Sequence, residues 1–276
     1  MMPKGVIFLV PVPIGNLGDI TLRAIETLKR VEIIACEDTR KSAFLLSQYE
    51  ITIPKLISFH KFNERSREEL IFSHLEGGKD VAIVSDAGSP AISDPAQSFV
   101  SHALEKGFEV QALPGATALI PAISVSGFST DAFQFLGFLP QKQKLRQAAL
   151  RQLLDYPFVS IIYESVHRIK ATLAQLAQIM PMRNIAVVRE ISKLHEEVIR
   201  GSAKELAEKA DITLKGEFVI VVDKPEIRKS SLTEEELLRL IEESEAVGKR
   251  ALAHEIALKT GMGKNEVYEM ILRLKK

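Results

Sequence analysis

Short apolar runs at Val6 to Val10, Glu32 to Cys36, Leu56 to Phe59, Val81 to Ser85 and Phe108 to Leu113 alternate with stretches where apolar residues recur every three or four positions. Runs of that length between helical segments read as strands, and the alternation predicts an α/β fold. One-sided helices are predicted where Leu22, Ile25 and Leu28, then Leu70, Ile71 and Leu75, then Phe99, Val100, Ala103 and Leu104 fall on one face. Gly77-Gly78 and Gly107 supply stops for the later two. Strands that are apolar without interruption predict a mostly parallel sheet covered on both faces. In such sheets ligands sit at the carboxyl ends of the strands.

A second α/β series begins after Pro114-Gly115, with strands at Phe133 to Gly137, Val159 to Tyr163, Asn184 to Arg189, Glu197 to Arg200 and Phe218 to Asp223. The polar stretch 224–232, with its proline, reads as a linker. Beyond it the pattern is purely helical: Thr233 and Glu236 have the spacing of a capping box. Helices are predicted over 249–260 and 264–275, joined by Gly261-Met262-Gly263, as in a helix-turn-helix. The expected division is therefore an α/β domain over 1–113, a second over 114–223, the linker, and a helical module over 233–276.

Composition narrows the function classes. In 276 residues, 36 lysines and arginines balance 36 aspartates and glutamates, so no global field draws the chain to nucleic acid or anionic lipid. Any polyanion site has to be local, and residues 246–276 supply a candidate with seven basic residues against three glutamates. Cys36, the single cysteine, excludes an internal disulfide and fits a reducing cytoplasm. Pro11 and Pro13 interrupt the first apolar run, which makes it a poor secretory signal. No stretch approaches the roughly 20 apolar residues that span a bilayer. A soluble, cytoplasmic protein without a metal site is expected.

Three loops that follow strands carry candidate chemistry. Val10-Pro11-Val12-Pro13-Ile14-Gly15-Asn16 places prolines and a glycine where backbone can approach a ligand closely. An ordinary turn with Asp19 or Thr21 capping the next helix explains the same residues. Its spacing matches neither a Walker loop nor a dinucleotide fingerprint. Ser85-Asp86-Ala87-Gly88-Ser89-Pro90 puts a carboxylate at a strand end, with Asp94-Pro95 suited to open the next helix. Pro114-Gly115-Ala116-Thr117-Ala118 offers small residues against which a flat ligand fits.

With Glu37-Asp38-Thr39-Arg40, Gly137-Phe138-Leu139-Pro140, Tyr163-Glu164-Ser165-x-His167-Arg168 and Arg189-Glu190 in the same order, the set resembles the ribosomal RNA small subunit methyltransferase I family of the tetrapyrrole methylase superfamily. The resemblance covers about residues 5–223. It implies two α/β domains with S-adenosyl-L-methionine in the cleft between them. It further implies 2′-O-methylation of a cytidine ribose in the decoding centre of 16S rRNA, within the small ribosomal subunit, and a homodimer. Carried over residue by residue, the donor would meet Pro13, Ile14, Gly15, Asp86, Gly88, Ser89, Thr117, Ala118 and Tyr163. Corrin-type relatives typically carry Gly-Asp-Pro in the second loop, whereas Asp86 here precedes Ala87-Gly88, so the loop's hydrogen bonds do not transfer.

A ribose hydroxyl needs a base, and His60-Lys61-Phe62-Asn63-Glu64 gathers candidates: Glu64 first, His60 second, with Asn63 on the substrate. Glu64 equally suits the first turn of a helix. Arg40 and Arg168 suit phosphates, although a helix start and a surface salt bridge explain them as well. Gln141 to Arg146, with Lys142 and Lys144, reads as a phosphate-screening loop or a solvated helix face. Glu190 and Lys193 fit an ion pair or substrate contacts. Lys264, Asn265 and Arg273 of the tail point to RNA or to a protein contact. Two other functions remain open: a corrin or other small-molecule methyltransferase, and a helix-turn-helix regulator with a vestigial α/β sensor.

Overall fold

The computed structural model describes residues 3–274, except 53, 61–62, 93–95, 209–212, 226–231, 245, 247 and 261 and the side chains of 258 and 259. The suggested cap at Asp94-Pro95, Lys61 and Phe62, most of the linker and Gly261 lie outside the described residues. Two units are present, Met1–Lys224 and Pro225–Lys276.

The larger unit holds two five-stranded sheets. The first is built from β1 (Val6–Leu9), β2 (Ile33–Cys36), β3 (Lys55–Ser58), β4 (Val81–Val84) and β5 (Glu109–Ala112), all parallel, in the order β3-β2-β4-β1-β5. Because side chains alternate across a strand, each of β1 to β4 feeds two cores. Ile7, Ile33, Ala35, Ile57, Val81 and Ile83 face α3 (Glu64–Glu76) and α4 (Ala96–Glu105). Phe8, Ile34, Cys36, Ala82 and Val84 face the opposite way, with α1 (Leu22–Arg30) and α2 (Thr39–Gln48).

On the first of those faces, Phe99 stacks on Phe72 at 5.3 Å and meets Phe59 edge-on at 5.3 Å, while Phe72 also stacks on Phe108. Two apolar faces differ from the sequence pattern. Leu22 is 79% exposed, and α1 instead buries Ala24, Thr27 and Leu28. Leu22 is the first residue of α1, where the side chain covers the preceding turn rather than the sheet. Leu104 is 57% exposed; it lies one residue from the end of α4, beyond the face that Ala96, Phe99 and Ala103 bury.

The second sheet consists of β6 (Phe133–Phe138), β7 (Val159–Ser165), β8 (Asn184–Arg189), β9 (Glu197–Ser202) and β10 (Glu217–Val222), in the order β6-β7-β10-β8-β9. Only β6 and β7 are parallel; β10 runs antiparallel to both neighbours, and β8 and β9 form a hairpin. α5 (Leu119–Ser126) covers one face, while α6 (Gln143–Gln152), α7 (Ile169–Ile179) and α8 (Ala203–Glu208) cover the other. The Gln141 to Arg146 segment is thus the start of a helix and not a loop, with Lys142 as its N-cap residue.

In the smaller unit, α9 (Glu234–Glu242), α10 (Lys249–Thr260) and α11 (Lys264–Arg273) pack around Leu237, Ala253, Ile256, Val267 and Ile271. The capping box forms: Glu236 N donates to Thr233 Oγ1 at 3.2 Å and Thr233 N to Glu236 Oε2 at 3.1 Å.

Phe99→Ala empties the middle of the aromatic stack, and is expected to cost about 3–5 kcal/mol of unfolding free energy. Urea denaturation followed by circular dichroism measures it.

Candidate active site

The three loops that follow β1, β4 and β5 hold one another. Val12 N donates to Gly88 O at 2.9 Å and Gly88 N to Val12 O at 3.0 Å, an antiparallel bridge between the first two. Gly88 has φ +79°, a backbone conformation that side chains rarely adopt. Ser89 Oγ donates to Ala116 O at 3.0 Å, tying the second loop to the third. The first and third touch where the Pro11 ring lies over Gly115; a Cβ there would stand 2.5 Å from the ring.

These loops face a cleft of about 580 Å³. That volume lies within the roughly 300–1,000 Å³ of small-molecule sites. Of the nine predicted donor residues, Ile14, Asp86, Gly88, Ser89, Thr117, Ala118 and Tyr163 line it. Pro13 lines an adjoining cavity of about 510 Å³, and Gly15 lies behind the Lys193 side chain. The opposite wall comes from the second sheet. Tyr163 to Ser165 end β7, and Glu217 to Val219 begin β10 beside them, because the two strands are antiparallel. Burial pushes the Tyr163 phenol up, against weaker hydrogen bonding from Thr117, Leu119 and Ala118. It is therefore neutral at physiological pH. Phe135 and Phe138 meet its ring edge-on at 4.7 and 5.7 Å.

Residues 190–196, between β8 and β9, clasp the first loop to this wall. The Lys193 chain packs over Gly15 (φ +136°), 2.5 Å from where a Cβ would sit. Its ammonium bonds Glu190 at 2.8 Å and Glu217 at 2.9 Å, and Ser192 donates to Asp19. Burial disfavours the charges on Glu190 and Lys193, but their mutual hydrogen bond prevails: Glu190 ends below its ordinary value and Lys193 above. Both stay charged across neutral pH. Glu190 (φ +51°) and Ser192 (φ +67°) hold left-handed conformations, local strain that this packing over-determines. Sequence reasoning left Glu190 and Lys193 between two explanations; an ion pair is what forms.

Beside the cleft, Asp86 accepts from the Asp38 amide at 3.1 Å and from Lys41 Nζ at 2.6 Å. Asp38 caps α2 and forks onto Arg40, at 3.1 and 2.8 Å. That guanidinium, with the Arg40 amide, holds the Asp38 carboxyl well below the usual carboxylate range. Burial pushes the nearby Cys36 thiol up, so it is not a nucleophile at neutral pH.

The other predicted residues are placed differently. Glu64 begins α3, where its carboxylate accepts from Ser98 of α4, and neither it nor His60 lines the cleft. Asn63 pins its own turn, accepting from the His60 amide at 2.8 Å and donating to Ser58 O at 3.0 Å. Arg168 donates to Leu139 O at 2.8 Å and sits 3.3 Å from the buried Glu164, which Thr172 and the Ser165 amide also satisfy. Its guanidinium is committed inside the fold. Lys142, Lys144 and, in the smaller unit, Lys264 are exposed. Ile191 and Glu217 line the cleft without any signal in the sequence, and Glu37 and Phe138, which the sequence offered only inside longer motifs, line it too. Among the described residues no cluster of histidine, cysteine or carboxylates is placed to hold a metal.

The cleft fits S-adenosylmethionine: its walls are largely apolar and small, and Gly88 leaves an open cradle in which a Cβ would meet Ile14 at 3.3 Å. Gly15→Ala adds both backbone strain and a collision with Lys193. Donor affinity should fall about tenfold or more. Adding Lys193→Ala relieves only the collision, so recovery should be partial. Titration calorimetry with S-adenosylhomocysteine reads both.

A family model described as Tetrapyrrole (Corrin/Porphyrin) Methylases matches residues 6–207. The chain is 39% identical over 278 residues to ribosomal RNA small subunit methyltransferase I of Synechocystis sp., covering 98% of both chains. The Bacillus subtilis protein of that name is 44% identical over 220 residues, 79% of this chain and 75% of that one. Among solved structures, uroporphyrin-III C-methyl transferase from Thermus thermophilus complexed with S-adenyl homocysteine superposes with a TM-score of 0.58 at 17% identity, covering 79% of this chain and 97% of that one. A diphthine synthase gives 0.61 at 14% identity, covering 80% and 90%. At those identities the likeness is one of fold. The chain belongs to the tetrapyrrole methylase family, and within it to the ribosomal RNA small subunit methyltransferase I group.

Proposed function

We propose that this chain transfers the methyl group of S-adenosylmethionine to the ribose 2′-hydroxyl of a cytidine in the decoding centre of 16S rRNA, acting on the small ribosomal subunit. The observation that carries the donor half is the cleft walled by three interlocked strand-end loops. The RNA half is supported by the names of relatives about 40% identical over most of the chain. Bound in the cleft, S-adenosylmethionine supplies an electrophilic methyl carbon on a sulfonium. The chain's part is to hold the hydroxyl in line with that carbon and to take its proton.

For the proton, Glu37 is the better-placed carboxylate. It lines the cleft just past β2, whereas Glu64 rests on Ser98 away from it. Glu164 also lines the cleft, but its side chain is fully buried. Arg40, Lys142, Lys144 and Lys264 are the exposed cations offered to phosphate, while Asn63 and Arg168 shape their loops. A cytoplasmic homodimer completes the proposal. Among the described residues no helix is long and apolar enough to cross a membrane.

Tritiated donor supplied with unmethylated 30S subunits or with precorrins tests the reading. Label should enter 16S rRNA, with a primer-extension stop in the decoding region at limiting nucleotide; label in the precorrin alone would refute it. Glu37→Gln is expected to lower single-turnover methylation about 10²- to 10⁴-fold. Glu64→Gln should instead cost about 1 kcal/mol of stability, with the rate kept within a few-fold.

A further inference from the structure

The adjoining cavity is not absorbed by the donor site. It shares Ser85 and Asp86 with the donor cleft, so whatever fills it lies one side chain away from the donor. Its far side is the face of α2 that carries Arg40, Lys41, Phe44 and Leu45. Arg40 and Phe44 are four residues apart, so they are neighbours on that face. Ser42 lines the cavity as well, at its buried inner edge, and Leu46 anchors the helix in the core behind it.

Phe44 is 65% exposed, a bare aromatic ring on a polar helix, and Pro13 supplies a second flat surface in the same cavity. Arg40 is 89% exposed beyond its fork onto Asp38, so its outer N–H groups remain open to an anion. An aromatic face beside an open guanidinium is the pairing that single-stranded nucleic acid uses: the base stacks and the phosphate is held. The Lys41–Asp86 ion pair, 2.6 Å long, stands between the two cavities. At that exposure the pair adds little stability. Its place is that of a partition between donor and acceptor.

We propose that this cavity is the acceptor subsite, in which one unpaired RNA nucleotide lies with its base on Phe44 and an adjacent phosphate on Arg40. The proposal rests on the reading of the chain as an RNA methyltransferase, and it requires the nucleotide to be unstacked, since a paired base offers no free face.

The test uses the full chain as wild type, Phe44→Ala, Phe44→Trp and Arg40→Gln. It measures methyl transfer to 30S subunits, donor affinity by calorimetry and association state by sedimentation. Wild type that labels no RNA sinks the functional reading itself. Given an active wild type, Phe44→Ala should lower kcat/KM for the subunit about 5- to 150-fold, with donor affinity and sedimentation unchanged. Phe44→Trp should stay within about threefold of wild type, because the larger ring still stacks. Arg40→Gln should reduce the slope of log KM against log salt by about one. The proposal is overturned if Phe44→Ala methylates subunits like wild type, or if it weakens donor binding in proportion. It is overturned too if Phe44→Ala dissociates a dimer that wild type forms, since the ring then serves a second copy of the chain.

Discussion

The two hydrogen bonds between Val12 and Gly88 are the constraint on which the site depends. Loops after parallel strands ordinarily diverge, because each has to reach its own helix. Here one residue pair continues sheet-like pairing beyond the sheet, joining the loops after β1 and β4, which are neighbours in strand order. Gly88 can join that bridge because φ +79° is open to glycine. Once the two loops are joined, Ser89 reaches Ala116 and Pro11 covers Gly115, so the third wall is fixed by the first two. Pre-organised backbone of this kind reduces the ordering cost of binding a flexible ligand.

The second sheet completes the cleft by a different device. Its central strand β10 runs antiparallel to β7, which brings Glu217 beside Ser165. A carboxylate is thereby placed where Lys193 can reach it, and Lys193 in turn crosses Gly15. The clasp joins two charges of one sign to one of the other, partly buried, an arrangement that favours geometry over net stability. Its strained Glu190 and Ser192 are consistent with a segment held by its partners rather than by its own conformational preference.

The sheets were legible because strand residues must alternate between two cores, and Ile7 to Leu9 or Val81 to Val84 cannot do so without being apolar throughout. α2 was harder to see, since Thr39–Gln48 buries only Ser42 and Leu46 and its start could be read equally as a substrate loop. Leu22 and Leu104 show the limit of periodicity: hydrophobic character at a helix end does not say whether the sheet extends beneath it. On the site, residues at strand carboxyl ends were found by looking where parallel sheets bind ligands. Glu217 was missed because it begins a strand, and only the antiparallel pairing of β10 turns that end toward the cleft. Phe44 was missed because nothing in a sequence distinguishes an exposed phenylalanine from a buried one.

A neutral chain that acts on RNA has to confine its attraction. In the larger unit several cations are answered by an acid, Lys41 by Asp86, Arg189 by Glu197 and Lys193 by Glu190 and Glu217, while Arg40 bonds Asp38 and stays 89% exposed. Lys142, at the N-cap of α6, and Lys144, on it, have no ion pair among the described residues, and the basic residues of 246–276 are the other concentration of charge. Paired cations contribute little counterion release on arbitrary RNA, so affinity for an unstructured strand should be weak and only mildly salt-dependent. On the proposed reading, recognition falls to shape, meaning a surface that presents an unpaired nucleotide to α2 and the cleft. The charge balance that excluded a general polyanion binder is thus compatible with an enzyme selective for one site on one large particle.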